Sequence, residues 1–485
     1  MNSDPRGSLQ VKRSGIAPGA LPLLGHALPL WRRPLEFLSE LPDHGDLVEL
    51  RLGPKRAYIA CDPETTRQML LQPRIFDKGG PLFETARRLV GNGLVASLWE
   101  EHRRQRRMVQ PSFHQARMPK YAELMLKEID QELASWAPGH TVDILQAMHD
   151  LTLRIAARTM FSSLISDETA TKVQEFMPVI LRGVYVRTVA PVDWLHKLPT
   201  AANRRYDYAS AGMKHVITQM INDHHRSGTD RGDLLSMLMS ARDGEDGDRL
   251  SDEEIHNQVM TLIVGGTETT GNATASALQM LALNPDVERR MHTEVDEVLG
   301  GRQPSFEDLP RLDYCYRVLY ETLRLRPPVW LVTRTTTRDT ELAGRQLRSG
   351  TTLFYSPYLL HLNPDLFPEP ERFDPDRWLP GRNVDLPPGA MLPFGLGSRK
   401  CIGDKFGLAE ITLTLAAIAS RWQLRIVPGE PTKTRTAPEM TLGTGPLTMV
   451  VERRVSTRPT TGGPSESAPP PSRGCPYSRT DESQG

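Results

Sequence analysis

Phe394-Gly395-Leu396-Gly397-Ser398-Arg399-Lys400-Cys401-Ile402-Gly403 is the stretch on which the reading of this chain turns. It satisfies F-x-x-G-x-R-x-C-x-G at every fixed position, and average composition puts a chance match in a chain of this length at about one in ten thousand. A free cysteine is ordinarily a small buried hydrophobe. The neighbours of Cys401 argue for another use. Gly403 to Trp422 reads as an amphipathic helix, and its positive N-terminal end, with backbone N–H groups of the loop, would stabilise a thiolate at Cys401. Gly397 permits a tight backbone turn. Phe394 is placed to shield the sulfur from water, and Arg399 offers a cation to a carboxylate.

A second constellation is Gly265-Gly266-Thr267-Glu268-Thr269-Thr270. It lies in a long helical pattern that starts near Ser251, where Ser251-Asp252-Glu253-Glu254 has the form of a capping box. Glycine and threonine are poor mid-helix residues, and a carboxylate beside them is stranger. Local rule-breaking of this kind marks functional sites. The competing reading is a surface helix end, with the glycines as a stop signal and Glu268 simply solvated. Apolar periodicity continuing through Ala273, Ala277 and Leu281 argues against it.

These two stretches, in this order, resemble the cytochrome P450 family. The resemblance runs from about residue 17 to 454. Pro18-Gly19, Pro22 and Gly25-His26 are similar to the family's proline-rich opening segment, Glu321 and Arg324 form E-x-x-R, and Pro370-Glu371-Arg372-Phe373 follows as P-E-R-F. The resemblance implies a mainly α fold with small β-sheets, built as a single large domain. It implies haem b, with its iron held by the Cys401 thiolate, a ligand that favours O–O cleavage. Gly403 would let the helix approach the porphyrin. Arg399 and Arg334 would pair with haem propionates. His102 and Arg106 stand where many members have W-x-x-x-R and would contact the other propionate side, with Trp99 offering a rival register. Gly265 and Gly266 would make room for oxygen and substrate, Thr269 would face the iron and hydrogen-bond dioxygen, and Glu268 would relay protons from solvent. Glu321, Arg324 and the P-E-R-F arginine would form a buried ionic cluster, a folding clamp rather than a catalytic group. A covalent c-type haem is excluded, because the chain has no C-x-x-C-H.

Composition narrows the setting. The 485 residues are 39% hydrophobic and 24% charged, enough to bury a large core, and Lys+Arg equals Asp+Glu at 59 each. Zero net charge argues against nucleic acid as a partner. Cys61, Cys315, Cys401 and Cys475 are far apart and show no CxxC spacing, so neither a disulfide framework nor a structural zinc site is expected. The N-terminus is polar, with no signal sequence and no apolar run long enough to span a bilayer. A cytoplasmic, monomeric bacterial protein without a membrane anchor is the natural expectation.

Residues 1–16 read as a flexible leader, 17–454 as one continuous catalytic body and 455–485, rich in Pro, Ser, Thr and Gly, as a disordered tail. Helical periodicity covers Met118–Trp136, His256–Leu283, Tyr314–Leu325 and Asp404–Trp422; strand-like runs cover Leu47–Leu52, Ala57–Ala60, Thr351–Tyr355 and Thr448–Glu452.

The resemblance implies a monooxygenase that uses O2. Electrons from NAD(P)H would arrive through a ferredoxin reductase and a ferredoxin, because the chain carries no flavin or iron–sulfur domain. The His102–Arg107 run is then either a solvated basic face or an attractor for an acidic ferredoxin. The expected substrate-lining residues Leu82, Phe83, Leu89, Ile263, Val329, Trp330, Leu331, Val332 and Leu442 are apolar and suit a hydrocarbon or lightly oxidised substrate. The wording around Arg104-Gln105-Arg106-Arg107 and Val329-Trp330 is similar to bacterial terpene hydroxylases of secondary metabolism. Two other readings are a haem-thiolate isomerase, dehydratase or peroxygenase, and a non-catalytic haem-binding protein. The Glu268–Thr269 acid–alcohol pair argues against both, since neither needs protons delivered to dioxygen.

Overall fold

The structure is a computed structural model that describes residues 14–161, 167–189, 198–227, 232–243, 247, 249–382, 386–429 and 441–454. The body expected from 17 to 454 is two compact units interleaved along the chain. The smaller draws on residues up to 84, 331–368 and 387–400, the larger on 85–330, 369–386 and residues from 401 onward.

The smaller unit is organised by a six-stranded sheet. Its strands are β1 (Ser14–Ile16), β2 (Leu47–Leu52), β3 (Lys55–Ala60), β4 (Phe76–Asp77), β5 (Val332–Thr336) and β6 (Thr352–Tyr355), in the order β1-β2-β3-β6-β5-β4. β2 and β3 form an antiparallel hairpin with Leu47 opposite Ala60, and β3 runs parallel to β6. Leu47, Tyr58, Leu353, Tyr355, Val332 and Phe76 bury one shared core with Met69, Leu70 and Phe83. The leader needs a correction at its end. Ser14–Ile16 pairs in parallel with Leu47–Glu49, so these residues belong to the sheet. A backbone ladder orders them without needing apolar side chains, which is why polarity misread them. Residues 1–13 and the expected tail, Cys475 included, lie outside the described residues.

The larger unit is mainly helical. Its principal helices are α1 (Trp99–Val109), α2 (Met118–Ala134), α3 (Ile144–Phe161), α4 (Asp252–Leu283), α5 (Asp313–Leu325) and α6 (Asp404–Arg421), with a three-stranded antiparallel sheet of Thr141–Asp143, Trp422–Ile426 and Thr448–Arg453. α4 begins at the expected capping box: the Ser251 hydroxyl accepts from the Glu254 amide, and the Glu254 carboxylate accepts from the Ser251 amide. It packs against α3, α5 and α6. α6 is not amphipathic. Every residue from Leu408 to Ala419 is buried. Thr412 and Thr414 pass for surface residues in a sequence pattern, yet both are buried, and the Thr414 hydroxyl turns back to the Glu410 carbonyl at 2.8 Å.

An ionic clamp ties α5 to the segment 370–378. Glu321 and Arg324 are both 0% exposed and meet through paired bonds, Arg324 Nη2 to Glu321 Oε1 at 2.8 Å and Nε to Oε2 at 2.9 Å. Trp378 Nε1, the Asp374 amide and Arg377 Nε also donate to Glu321. The third member of the cluster is therefore Arg377, not Arg372 of the P-E-R-F run. The Arg372 side chain is exposed and pairs with Glu369, while its carbonyl accepts from Arg324. Both arginines stand near the right distance in sequence, and only the 3-10 turn Pro375–Trp378 aims Arg377 inward. Arg324→Ala leaves the Glu321 carboxylate buried without its bidentate cation and the Pro370 and Arg372 carbonyls without their donor. It should cost about 3–5 kcal/mol, seen as a lower denaturant midpoint.

Candidate functional site

Of the described cysteines, Cys401 alone is exposed. Burial pushes the Cys61 and Cys315 thiols up and keeps them protonated and inert. Cys401 stands just before α6, whose N-cap is Gly403. Gly397, upstream, has φ +69° in the left-handed region, as the tight turn requires. A Cβ there would come 3.1 Å from the Leu70 carbonyl oxygen. At Gly403 a Cβ would meet only the Phe113 ring, at 3.8 Å. Phe394 is half-buried in the smaller unit.

On α1 the inward face carries His102, 2% exposed, and Arg106, half-buried. Burial lowers the pKa of the Arg106 guanidinium, while the Cys401 sulfur and the Asp404 carboxylate raise it again. The attraction is mutual, so Arg106 favours a thiolate at Cys401 and Asp404 opposes it. The rival register through Trp99 faces outward: Arg103 lies 5.7 Å from the Trp99 ring, with its side chain 45% exposed. Arg104 pairs with Glu254 and Asp243, and Arg107 pairs with Asp243. Two arginines of the basic run are thus engaged within the unit.

Arg334, on β5 in the smaller unit, is 4% exposed. Its Nη1 donates to the Thr333 carbonyl at 2.9 Å, and its guanidinium lies over the rings of Phe83 and Tyr355 at 5.8 and 5.4 Å. Among the described residues no carboxylate pairs with it. A buried cation without an anion costs several kcal/mol, so this position fits an anionic group from outside the chain. Arg399 is ion-paired with Asp77, a partner that sequence reasoning missed.

α4 carries the remaining site residues. It continues to Leu283, which removes the helix-end reading. A Cβ added at Gly265 or Gly266 would meet nothing within 4 Å, and Gly265 is exposed midway along a helix otherwise largely buried. The Thr269 hydroxyl donates to the Gly265 carbonyl at 2.6 Å. Glu268 Oε1 accepts from the Thr441 hydroxyl at 2.7 Å, and Thr441 accepts from Asn272 Nδ2 at 2.6 Å. Sequence reasoning missed both Thr441 and Asn272; its one available signal was an amide inside an apolar helical repeat. Among the expected lining residues, Ile263, Phe83 and Val332 belong to core clusters, whereas Val329 is 43% exposed.

The family model for cytochrome P450 matches residues 17–452. The chain belongs to the cytochrome P450 family. It is 51% identical to cyclooctatin synthase of Streptomyces melanosporofaciens over 91% of this chain and 96% of that one. It is also 51% identical to cyclooctat-9-en-7-ol 5-monooxygenase of the same organism over 91% of this chain and 95% of the relative. The solved haem domain of cytochrome P450DA superimposes with a TM-score of 0.83 at 27% identity, covering 92% of this chain and 99% of that one. As a cytochrome P450 the chain is a haem-thiolate monooxygenase, and the family binds haem iron through a cysteine thiolate. The residues present fit that group: an exposed thiol beside a cation, a buried arginine without a carboxylate and a helix with an open face. Among the described residues no helix is long and apolar enough to cross a membrane.

The two kinds of glycine in this P450 predict opposite responses. Gly265→Ala should stabilise the chain by about 0.5–1 kcal/mol, because alanine is the better helix former and nothing obstructs it. Gly443→Ala should destabilise, since its Cβ would sit 2.4 Å from Asn272 Oδ1. Paired denaturation curves of the two variants check the contrast.

Proposed function

We propose that this P450 hydroxylates a cyclic terpene, with Cys401 as the thiolate ligand of haem b. The observation that carries the substrate class is the 51% identity, across nine-tenths of the chain, to enzymes whose names specify cyclooctatin and an alkenol. The apolar character of Leu89, Val329, Trp330 and Leu442 supports it, as does the wording of the chain around Arg104–Arg107 and Val329-Trp330. One oxygen atom of O2 enters a C–H bond and the other leaves as water, with two electrons from NAD(P)H and two protons. Bound haem supplies the oxidising chemistry. The electrons come through a ferredoxin reductase and a ferredoxin, and the protein works as a cytoplasmic monomer.

The chain's own residues hold the group and move the protons. His102, Arg106, Arg334 and Arg399 take the propionates, and Arg334 is the best supported of the four because it is buried without a carboxylate of its own. For Arg399 this means sharing the cation with Asp77. Gly403 leaves room for close approach and Phe394 keeps water from the sulfur. Gly265 makes room on the opposite face. The Thr269 hydroxyl, parked on the Gly265 carbonyl, can turn to orient a water or a proton, and Glu268 on the adjacent position supplies protons from solvent.

Cys401→Ser should remove the red-shifted Soret band of the ferrous–CO complex that thiolate ligation gives; a variant that keeps that band would overturn the assignment. Thr269→Ala should lower product formation about 10²-fold while NADPH oxidation continues, with the missing electrons recovered as hydrogen peroxide. Unchanged product per NADPH would refute the role given to Thr269.

A further inference from the structure

Glu268 does not stand alone on α4. Its Oε1 receives the Thr441 hydroxyl at 2.7 Å, and that hydroxyl receives Asn272 Nδ2 at 2.6 Å. Thr441 is 8% exposed and Asn272 2%. Asn272 lies one helical turn beyond Glu268, so the two share a face of α4, and Thr441 bridges them from a separate segment. That segment is anchored at its next residue, where the Leu442 amide donates to the Pro328 carbonyl at 2.9 Å.

The direction of every bond follows from the carboxylate. An ionised Glu268 can only accept, so Thr441 must donate its single proton to it. The Thr441 oxygen must then accept, and it does so from Asn272 Nδ2. The result is a one-way series of donors from Asn272 through Thr441 to Glu268. A glycine lets it close: a Cβ at Gly443 would sit 2.4 Å from Asn272 Oδ1.

We propose that Thr441 is a positioning residue for Glu268: backed by Asn272, its hydroxyl fixes the direction in which the carboxylate faces beside Thr269. The proposal rests on the reading of Glu268 as the acid that supplies protons. Without Thr441, a glutamate side chain with three rotatable bonds loses a described partner and meets Thr269 in a smaller fraction of its rotamers.

The test uses haem-loaded enzyme in the variants Thr441→Val, Thr441→Ser, Asn272→Ser and Glu268→Gln, with ferrous–CO spectra as the check on an intact haem site. The first readout is the infrared carboxylate band of Glu268, assigned by difference against Glu268→Gln. The second is O2 consumption driven by NADPH through a surrogate ferredoxin and reductase. Thr441→Val should shift the band and slow O2 consumption about tenfold. Thr441→Ser, which keeps the hydroxyl, should restore both, and Asn272→Ser should shift the band by less. A band left in place by both Thr441→Val and Asn272→Ser overturns the positioning role. Normal O2 consumption in Glu268→Gln overturns instead the reading of Glu268 on which the proposal rests.

Discussion

A helix buried along most of its length must satisfy its polar side chains from within the protein, and α4 is built around that constraint. Thr267 and Thr274 turn their hydroxyls to the Ile263 and Thr270 carbonyls. Gln258 accepts from the Leu94 amide, and Asn272 donates to Thr441. The first two stay within the helix, and the last two fix neighbouring segments against it. The stretch around Gly265 is the exception, where the helix keeps its backbone ladder but gives up side-chain packing. Gly265 and Gly266 forgo stability relative to alanine, and what the chain gains is an open face on an element that the surrounding bonds hold rigid. Rigidity and openness come from the same helix, so the open stretch is positioned by the buried ones.

Buried arginines show how strongly charge accounting discriminates among residues that look alike in sequence. Arg324 meets a bidentate carboxylate and two backbone carbonyls, which makes it a structural clamp. Arg334 is nearly as buried, yet its described partners are one carbonyl and two aromatic faces. Ring faces offset part of a guanidinium's desolvation and cannot neutralise it. An arginine with a full set of acceptors is explained by the fold, and one without a described anion has room for an anionic partner.

Much of this was legible in the chain. Four of the long helices fell where apolar periodicity put them, and the capping box at Ser251 was read from four residues. Local signals of this kind depend on neighbours in sequence. What failed depended on partners far away. The strand Ser14–Ile16 is defined by its pairing with Leu47–Glu49. The choice of Arg377 over Arg372 is made by a turn that aims one inward. The burial of α6 on all sides reflects how many elements surround it, which no hydrophobic period of its own records. The site divides in the same way. The candidate residues of the two motifs could be named from the chain, whereas the bond of Thr441, from a loop without any motif, to Glu268 could be seen only in the fold.

The arginine run of α1 joins these themes. Asp404 occupies the first turn of α6, where an acidic residue favours the helix dipole and also opposes a thiolate at Cys401. The offsetting cation, Arg106, sits on a different helix, so the electrostatics of the sulfur depend on where α1 lies. α1 is held in turn by the arginines beside it. Arg104 pairs with Glu254, the same glutamate that closes the capping box of α4, and both Arg104 and Arg107 reach Asp243. The start of α4 and the charge beside the thiol are therefore mechanically linked through one short ion-pair chain. A run that reads as a surface for an electron donor acts first to keep Arg106 beside Cys401. Arg103, over the Trp99 ring with its side chain 45% exposed, reaches Glu100 at 4.0 Å.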